Sequence, residues 1–403
     1  MLSSTQVTQT IRDLKKVNRH KVLNLLYFGA PITRLDISEQ LGLSPATVGN
    51  AVSDLLRQDI ITSLGALETQ GGRPRILLDI NPDYGFFLGV EAGETHIHIE
   101  LVNLKLVRLA EIHRPLTSEN TRPDEIVEHI VVGIETLLTQ QRIPHDKVLG
   151  VGIGLPGVVD RQVGVSIAAP NWAWHNVALL DLLRKRLHLP IYMDNGAHTM
   201  ALAEKMFGAG QGVDNFAALL IATGVGAGLI IGGELYRGAS NSVGEWGHTC
   251  IEVNGRPCSC GSRGCVETYI GAPGIIARLR SIDPAHEALL ADGQINIIEA
   301  IKQAAQRRDS AAIKVLDETA QYLGVGIANL LNLFNPQVIV IGGWSGLLLG
   351  EDFLKQAAPY VERYVLKPAL GAVRIQVSTL QQDAVSVGAA SLALEGFLKT
   401  SVN

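Results

Sequence analysis

Along residues 17–26 apolar positions recur at helical spacing (Val17, Val22, Leu25, Leu26), and Gly29 with Pro31 stops the run. A second, short helix is predicted over Arg34–Leu41, with Thr33 as its N-cap and Leu35, Ile37 and Leu41 as its apolar face. Gly42-Leu43-Ser44 then makes a tight turn, since glycine takes a left-handed conformation at little cost. Ser44 caps a third helix and Pro45 sits in its first turn, where a missing N–H is harmless; the helix continues through Thr47, Val48, Asn50, Val52, Leu55 and Leu56. Ile60-Ile61-Thr62 and Ile76-Leu77-Leu78 read as two strands around a tip containing Gly71-Gly72-Arg73-Pro74-Arg75. From about Asp83 the pattern changes to α/β: apolar strands at 86–90, 96–101 and 148–153 alternate with helical stretches. Residues 274–320 read as amphipathic helices without a chemical signature, and are assigned to packing.

Two short helices joined by a glycine-containing turn are the helix-turn-helix arrangement, whose second helix enters the DNA major groove. Its exposed N-terminal face would offer Ser44, Ala46, Thr47 and Asn50, small or amide side chains suited to phosphates, thymine methyls and adenine edges. At the wing, Arg73 and Arg75 flank a rigid proline and would reach phosphates or a narrow minor groove. The plainer alternative is a small helical bundle used for dimer contacts. The order of caps, turn, recognition helix and wing favours double-stranded DNA.

Length and composition sharpen this. At 403 residues the chain should hold two or three domains, and a 47% hydrophobic content is ample for large cores. No apolar run approaches the roughly 20 residues that span a bilayer. The opening MLSSTQVTQTIRDLKK lacks a signal-peptide apolar stretch, so a soluble cytoplasmic protein with no membrane partner is expected. Net charge is −5, which alone argues against a general nucleic-acid binder. Residues 1–80 hold nine Lys/Arg against seven Asp/Glu, however, so the head is +2 and the remainder −7. That split fits DNA contact confined to the N-terminus.

Four cysteines are too few for a disulfide framework in so long a chain, and Cys258, Cys260 and Cys265 crowd into eight residues. With His248 of Gly244-Glu245-Trp246-Gly247-His248 they supply the four ligands of a closed tetrahedral Zn2+ site. Such a site has no open position for an activated water, so its role would be structural. Three unrelated buried thiols are the alternative. The nitrogen of His248 not bound to metal must find a partner, and a sugar hydroxyl could serve. Glu245 and Glu267 bracket the ligands and could accept bonds from further hydroxyls. Three glycine-rich turns follow strands, at residues 152–157, 223–228 and 341–343. Spaced through two halves of one α/β body, they suggest a cleft that holds a nucleotide or small polar ligand.

These residues resemble the ROK family (repressors, open reading frames and sugar kinases), most nearly its branch of xylose and N-acetylglucosamine repressors, over nearly the whole chain. The strongest marks are the Glu-x-Gly-His and Cys-x-Cys-Gly-x-x-Gly-Cys-x-Glu elements. Leu155-Pro156-Gly157-Val158-Val159-Asp160, Ala169-Pro170-Asn171, the run from Asn335 to Gly343 and the Gly-Gly-Arg-Pro wing support them. The resemblance implies an N-terminal, all-α winged helix-turn-helix on an α/β, two-lobed, actin-like (ribonuclease H-like) sugar-kinase fold. The expected domains are the head at 1–80, lobe 1 at 81–195 with a C-terminal helix 384–398 returning to it, and lobe 2 at 196–383. It also implies a structural zinc and hexose contacts at Asn195, Glu245, His248 and Glu267, with Asn171 beside them.

Two departures bear on function. Family kinases carry Asn-Asp before Ala-Leu-Ala-Glu, and that aspartate is the general base; here Asp194-Asn195-Gly196-Ala197-His198 precedes Ala201-Leu202-Ala203-Glu204, which places Gly196 at the base position. No other catalytic residue is assigned, although a one-residue slip would make Asp194 the base. Losing such a base costs about 10²–10⁴ in rate. The first phosphate loop, Asp-x-Gly-Gly-Thr-Lys in kinases, is Glu91-Ala92-Gly93-Glu94-Thr95-His96, and the Glu94 charge would repel phosphates. The expectation is therefore a DNA-binding repressor of carbohydrate genes that does no catalysis. It would answer a mono- or disaccharide effector and act as a homodimer, with a tetramer left open. The rivals are an active ATP-dependent sugar kinase with an accessory DNA-binding head, and a regulator that answers a protein through a vestigial sugar pocket.

Overall fold

The computed structural model describes residues 11–67, 75–117 and 121–400. The head contains helices Ile11–Gly29, Arg34–Leu41 and Pro45–Arg57 and a three-stranded sheet of Ile32–Thr33, Arg75–Ile80 and Ile61–Leu67, in that order. Local chemistry sets each end. Thr33 Oγ1 accepts the Asp36 N–H at 3.3 Å while Asp36 returns a carboxylate to the Thr33 N–H, a reciprocal cap. Gly42 closes the same helix with φ 62°, the left-handed region. Val22, Leu26, Ile37, Val48, Val52, Leu55, Leu78 and Ile80 are buried as the head's core. The first helix is longer than the apolar spacing of residues 17–26 predicts, because polar turns extend it toward its N-terminus.

The body contains one sheet topology twice. In the first sheet the strands lie in the order Ile191–Asn195, Val148–Leu155, Phe86–Ala92, His96–Asn103, Arg108–Pro115. In the second the order is Arg374–Val377, Val338–Gly342, Phe216–Ile221, Val225–Ile231, Glu234–Leu235. Each sheet therefore consists of a three-strand antiparallel meander followed by two strands added parallel to its first member. This duplicated ribonuclease H-like sheet is the actin-like, two-lobed architecture. Apolar side chains fill both faces of the parallel strands, hence continuous runs such as Val338–Gly342, which is buried throughout.

Two helices join the lobes. Ala384–Thr400 lies on the first sheet, and Gly196–Phe207 lies between it and the second. The approach is close enough that a Cβ on Gly152 would fall 1.6 Å from the Ala389 carbonyl oxygen, and one on Gly388 would fall 1.7 Å from that of Thr199. The last helix continues to the head. His20 Nδ1 donates to the Leu398 carbonyl (2.9 Å), and Leu394, Phe397 and Leu398 share a core with Val22 and Leu26. Across the same boundary Tyr27 donates to the Leu104 carbonyl (2.9 Å) and Lys105 pairs with Asp79 (2.6 Å). Helices at Ala272–Ile282, Gly293–Gln306 and Ser310–Phe334 pack on the second sheet. Among the described residues, no helix is long and apolar enough to cross a membrane.

Candidate functional site

A cleft of about 100 Å³, open to solvent, lies between the lobes. Asn171, Asn195, Glu245, His248 and Glu267 all line it, with Gly196 at its floor. Each is delivered by a distinct element. Asn171 sits in the turn Pro170–Trp172 that follows strand Val165–Ala169. Asn195 ends strand Ile191–Asn195 and caps helix Gly196–Phe207, accepting the Ala197 N–H at 2.7 Å while donating to the Gly157 carbonyl at 2.7 Å. One N–H of its amide remains for a ligand. Glu245 and His248 flank the single turn Trp246–His248, anchored by the buried Trp246, whose indole N–H reaches the Gly326 carbonyl.

Next to the cleft, one ligand atom each from His248, Cys258, Cys260 and Cys265 lies within 4.8 Å of the other three, an arrangement that can hold a metal ion. The edges are informative. Cys260 Sγ and Cys265 Sγ are 3.8 Å apart, and Cys258 Sγ is 3.6 Å from His248 Nδ1. A tetrahedral ion at about 2.3 Å from sulfur and about 2.0 Å from nitrogen has edges of about 3.8 and 3.5 Å, close to those observed. Burial pushes the Cys265 thiol up to about 12 and raises that of Cys258, so without a cation these two would stay protonated. The histidine is oriented: Nδ1 faces the sulfurs and Nε2 faces the cleft, 3.8 Å from Glu245 Oε2. Glu267 spans both regions, with Oε1 3.9 Å from Cys258 Sγ and Oε2 accepting the Val225 N–H at 2.9 Å.

Four carboxylates, Glu91, Glu94, Glu245 and Glu267, line the cleft. Glu94, at the tip of the turn between strands Phe86–Ala92 and His96–Asn103, reaches across to accept from Asn171 Nδ2 at 3.0 Å. A Cβ on Gly224 would be 3.2 Å from Glu94 Oε1 and 3.4 Å from Glu267 Oε2, so two acids converge on the second glycine loop. Burial raises the carboxyls of Glu94 and Glu245, and raises Glu91 to about 8, with the neighbouring Glu94 adding to the effect. Space rich in acceptors, with the imidazoles of His96 and His248 beside them and burial holding His96 down to about 4, suits a neutral polyhydroxylated ligand and disfavours a polyphosphate.

Asp194 does not line the cleft. Its carboxylate is buried and bonded to His198 Nδ1 (2.9 Å), Arg237 Nε (2.9 Å) and Asn241 Nδ2 (3.1 Å), partners that hold it well below the usual carboxylate range against the cost of burial. Asn241 also donates to the Val159 carbonyl, so this network latches the 237–241 loop of one lobe to the other. Sequence reasoning missed the latch; an Asp and a His four residues apart, straddling a strand-to-helix junction, were its only trace. At Gly196 a Cβ would meet nothing closer than 3.6 Å, so the site has room for a side chain and lacks one.

In the head, Ser44, Ala46 and Asn50 are exposed and Thr47 partly so, all at the start of helix Pro45–Arg57. Ser44 Oγ caps it by accepting the Thr47 N–H (3.2 Å) and bonds Thr47 Oγ1 (2.8 Å). Arg75 is exposed at the base of the wing; Arg73 lies outside the described residues.

A DNA-reading winged head joined to a two-lobed body of the sugar-kinase type is the class that this fold and cleft define. The winged helix-turn-helix DNA-binding model matches residues 17–62 and the ROK family model residues 87–396. The chain belongs to the ROK family. It is 31% identical to the xylose repressor of Bacillus subtilis, over 96% of this chain and 97% of that protein. It is 32% identical to the glucokinase of Thermotoga maritima, over 76% of this chain and 97% of that one. Among solved structures, a ROK family transcriptional regulator homologous to the Escherichia coli MLC protein superposes with a TM-score of 0.81 at 28% identity, over 96% and 98% of the two chains. The glucokinase match covers 76% of this chain, whereas each of the two regulators covers 96% of it.

Proposed function

We propose that this protein is a sugar-responsive transcriptional repressor whose kinase-like body senses a mono- or disaccharide without phosphorylating it. The main support is the cleft itself. Five residues suited to sugar hydroxyls converge there, while the base position holds Gly196 and Glu94 stands in the first phosphate loop. Asn171, Asn195, Glu245, His248 and Glu267 would bind the sugar. Ser44, Ala46, Thr47, Asn50, Arg73 and Arg75 would contact operator DNA. The body divides for this purpose near residues 195 and 383, with the last helix belonging to lobe 1.

The metal is zinc in this reading. Three thiolates and an imidazole at tetrahedral spacing are the donor set it prefers, and a closed site gives it a structural role. It would fix His248 so that Nε2 presents to a sugar hydroxyl. The signal would leave through helix Ala384–Thr400. Val385 lines the cleft, and the Leu398 carbonyl is bonded to His20 of the head. Closure of the lobes around sugar would shift that helix and alter the spacing of two heads in a cytoplasmic homodimer. Its operators would be pseudo-palindromic, with half-sites about one helical turn or a multiple apart. Sugar relieves repression to the extent that it binds the closed state more tightly.

The experiment is a thermal-shift screen of mono- and disaccharides on zinc-replete protein, with and without Mg-ATP, coupled to product analysis. One sugar should raise the melting temperature, ATP should add nothing, and no phosphorylated sugar should form. A phosphorylated product would establish an active kinase with a DNA-binding head. Silence across the panel would favour a protein signal.

A further inference from the structure

A second group of metal-ligating side chains lies on the first sheet and takes no part in the cleft. His98 and Glu100 project from strand His96–Asn103, Glu111 from strand Arg108–Pro115, and Asp383 from the turn just before the last helix. One ligand atom from each lies within 4.8 Å of the other three. His98 Nε2 is 3.1 Å from Glu111 Oε2 and 3.7 Å from Glu100 Oε1. The ring is oriented from behind, because Nδ1 faces Ser386 Oγ at 3.4 Å on the last helix. A hydrogen-bonded rear nitrogen is the arrangement that turns a histidine toward a metal.

Glu100 makes this more than an acidic patch. Its side chain is 0% exposed, and neither carboxylate oxygen makes a well-formed hydrogen bond, Ser386 and Arg108 giving it only weak ones. A buried carboxylate left so is costly unless a cation meets it. Burial pushes Glu100 up to about 7, with Asp383 adding to the rise and Arg108 opposing it. The nearest positive group is Arg108 Nη1, 3.5 Å from Glu100 Oε1, on a guanidinium already spent on Glu111 (3.0 Å) and Asp383 (2.8 Å). That side chain is 44% exposed and held among three carboxylates, so it occupies the middle of the cluster as a plug that a cation would have to displace. His113 stacks flat on His98, with ring centroids 3.9 Å apart, and closes the outer side.

We propose that His98, Glu100, Glu111 and Asp383 form a second metal site, for a divalent first-row cation of the Mn2+ to Zn2+ series, which binds when Arg108 withdraws. One imidazole with three carboxylates is a harder donor set than the cysteine site and selects accordingly. Because Asp383 adjoins helix Ala384–Thr400, a cation there ties the start of that helix to both strands.

The probe is Mn2+, which does not displace zinc from thiolates. Zinc-replete full-length protein is titrated with Mn2+, and free ion is followed by electron paramagnetic resonance and heat by calorimetry. One Mn2+ per chain should bind beyond the zinc. Glu100→Gln and Asp383→Asn should each weaken it at least tenfold, and Arg108→Ala should tighten it at least threefold. Circular dichroism melts confirm that each variant is folded. The proposal fails if Arg108→Ala takes up no stoichiometric Mn2+. It also fails if uptake is unchanged in Glu100→Gln and Asp383→Asn, which would place the ion elsewhere.

Discussion

Replacing Cys258 with serine should strip the metal from the body and lower its melting temperature by about 10 °C. Serine keeps the size but offers a poor ligand, so the tetrahedron loses a corner that the other three groups cannot supply. In proteins whose metal holds a loop in place, its binding energy is folding energy, and losing such a site belongs to the changes that cost about 3 kcal/mol or more. For a unit this large each kcal/mol moves the midpoint by about 2–4 °C. The loss should reach the ligand cleft as well. Glu267 sits 3.9 Å from Cys258 and holds the Val225 N–H, and His248 is aimed into the cleft by its Nδ1 contact with Cys258. Metal content by plasma emission should fall from one zinc per chain to near zero. Unchanged metal and melting temperature would mean that the sulfurs are merely neighbours.

The second large effect concerns Glu245. The carboxylate lines the cleft beside His248 Nε2, and burial raises it above the ordinary carboxylate range. A hydroxyl donating to it makes a charge-assisted bond, worth about 1.5–3 kcal/mol. Glu245→Ala should therefore weaken the stabilising sugar by about 10- to 150-fold in calorimetry, while zinc content and melting temperature without sugar stay near those of the parent. If affinity survives, the sugar does not lie against the Trp246–His248 turn. A fall in basal stability of the size expected for Cys258→Ser would show that Glu245 is structural instead.

Much of this was legible in the residues, and for identifiable reasons. Caps and turns are local, so Thr33, Gly42 and Ser44 marked the helix ends of the head, and each has the cap or left-handed turn expected of it. The gathering of His248, Cys258, Cys260 and Cys265 into a group that can hold a metal was legible because the four fall within 18 residues at ligand spacing. Contacts between distant segments were hidden. Glu94 looked like a lost glycine; that it also crosses the cleft to Asn171 depends on how two loops 77 residues apart meet. His98 and Glu100 alternate with Ile97 and Ile99, as on a strand with one wet face. The face is dry because the last helix covers it, nearly 300 residues later, and alternation alone does not reveal such a cover. The reach of that helix into the head, through His20 and Leu398, was equally out of view.

In the proposed function, sugar in the cleft governs the head's grip on DNA without chemistry. The most direct test takes a duplex selected from a random library by the full-length, zinc-replete protein, labels it, and follows its anisotropy as the stabilising sugar is added. Saturable release of the duplex at sugar concentrations matching the thermal shift, with no phosphorylated sugar when Mg-ATP is present, is the predicted result. Saturation of the cleft with no change in DNA affinity, or release only as a phosphorylated product accumulates, would contradict it.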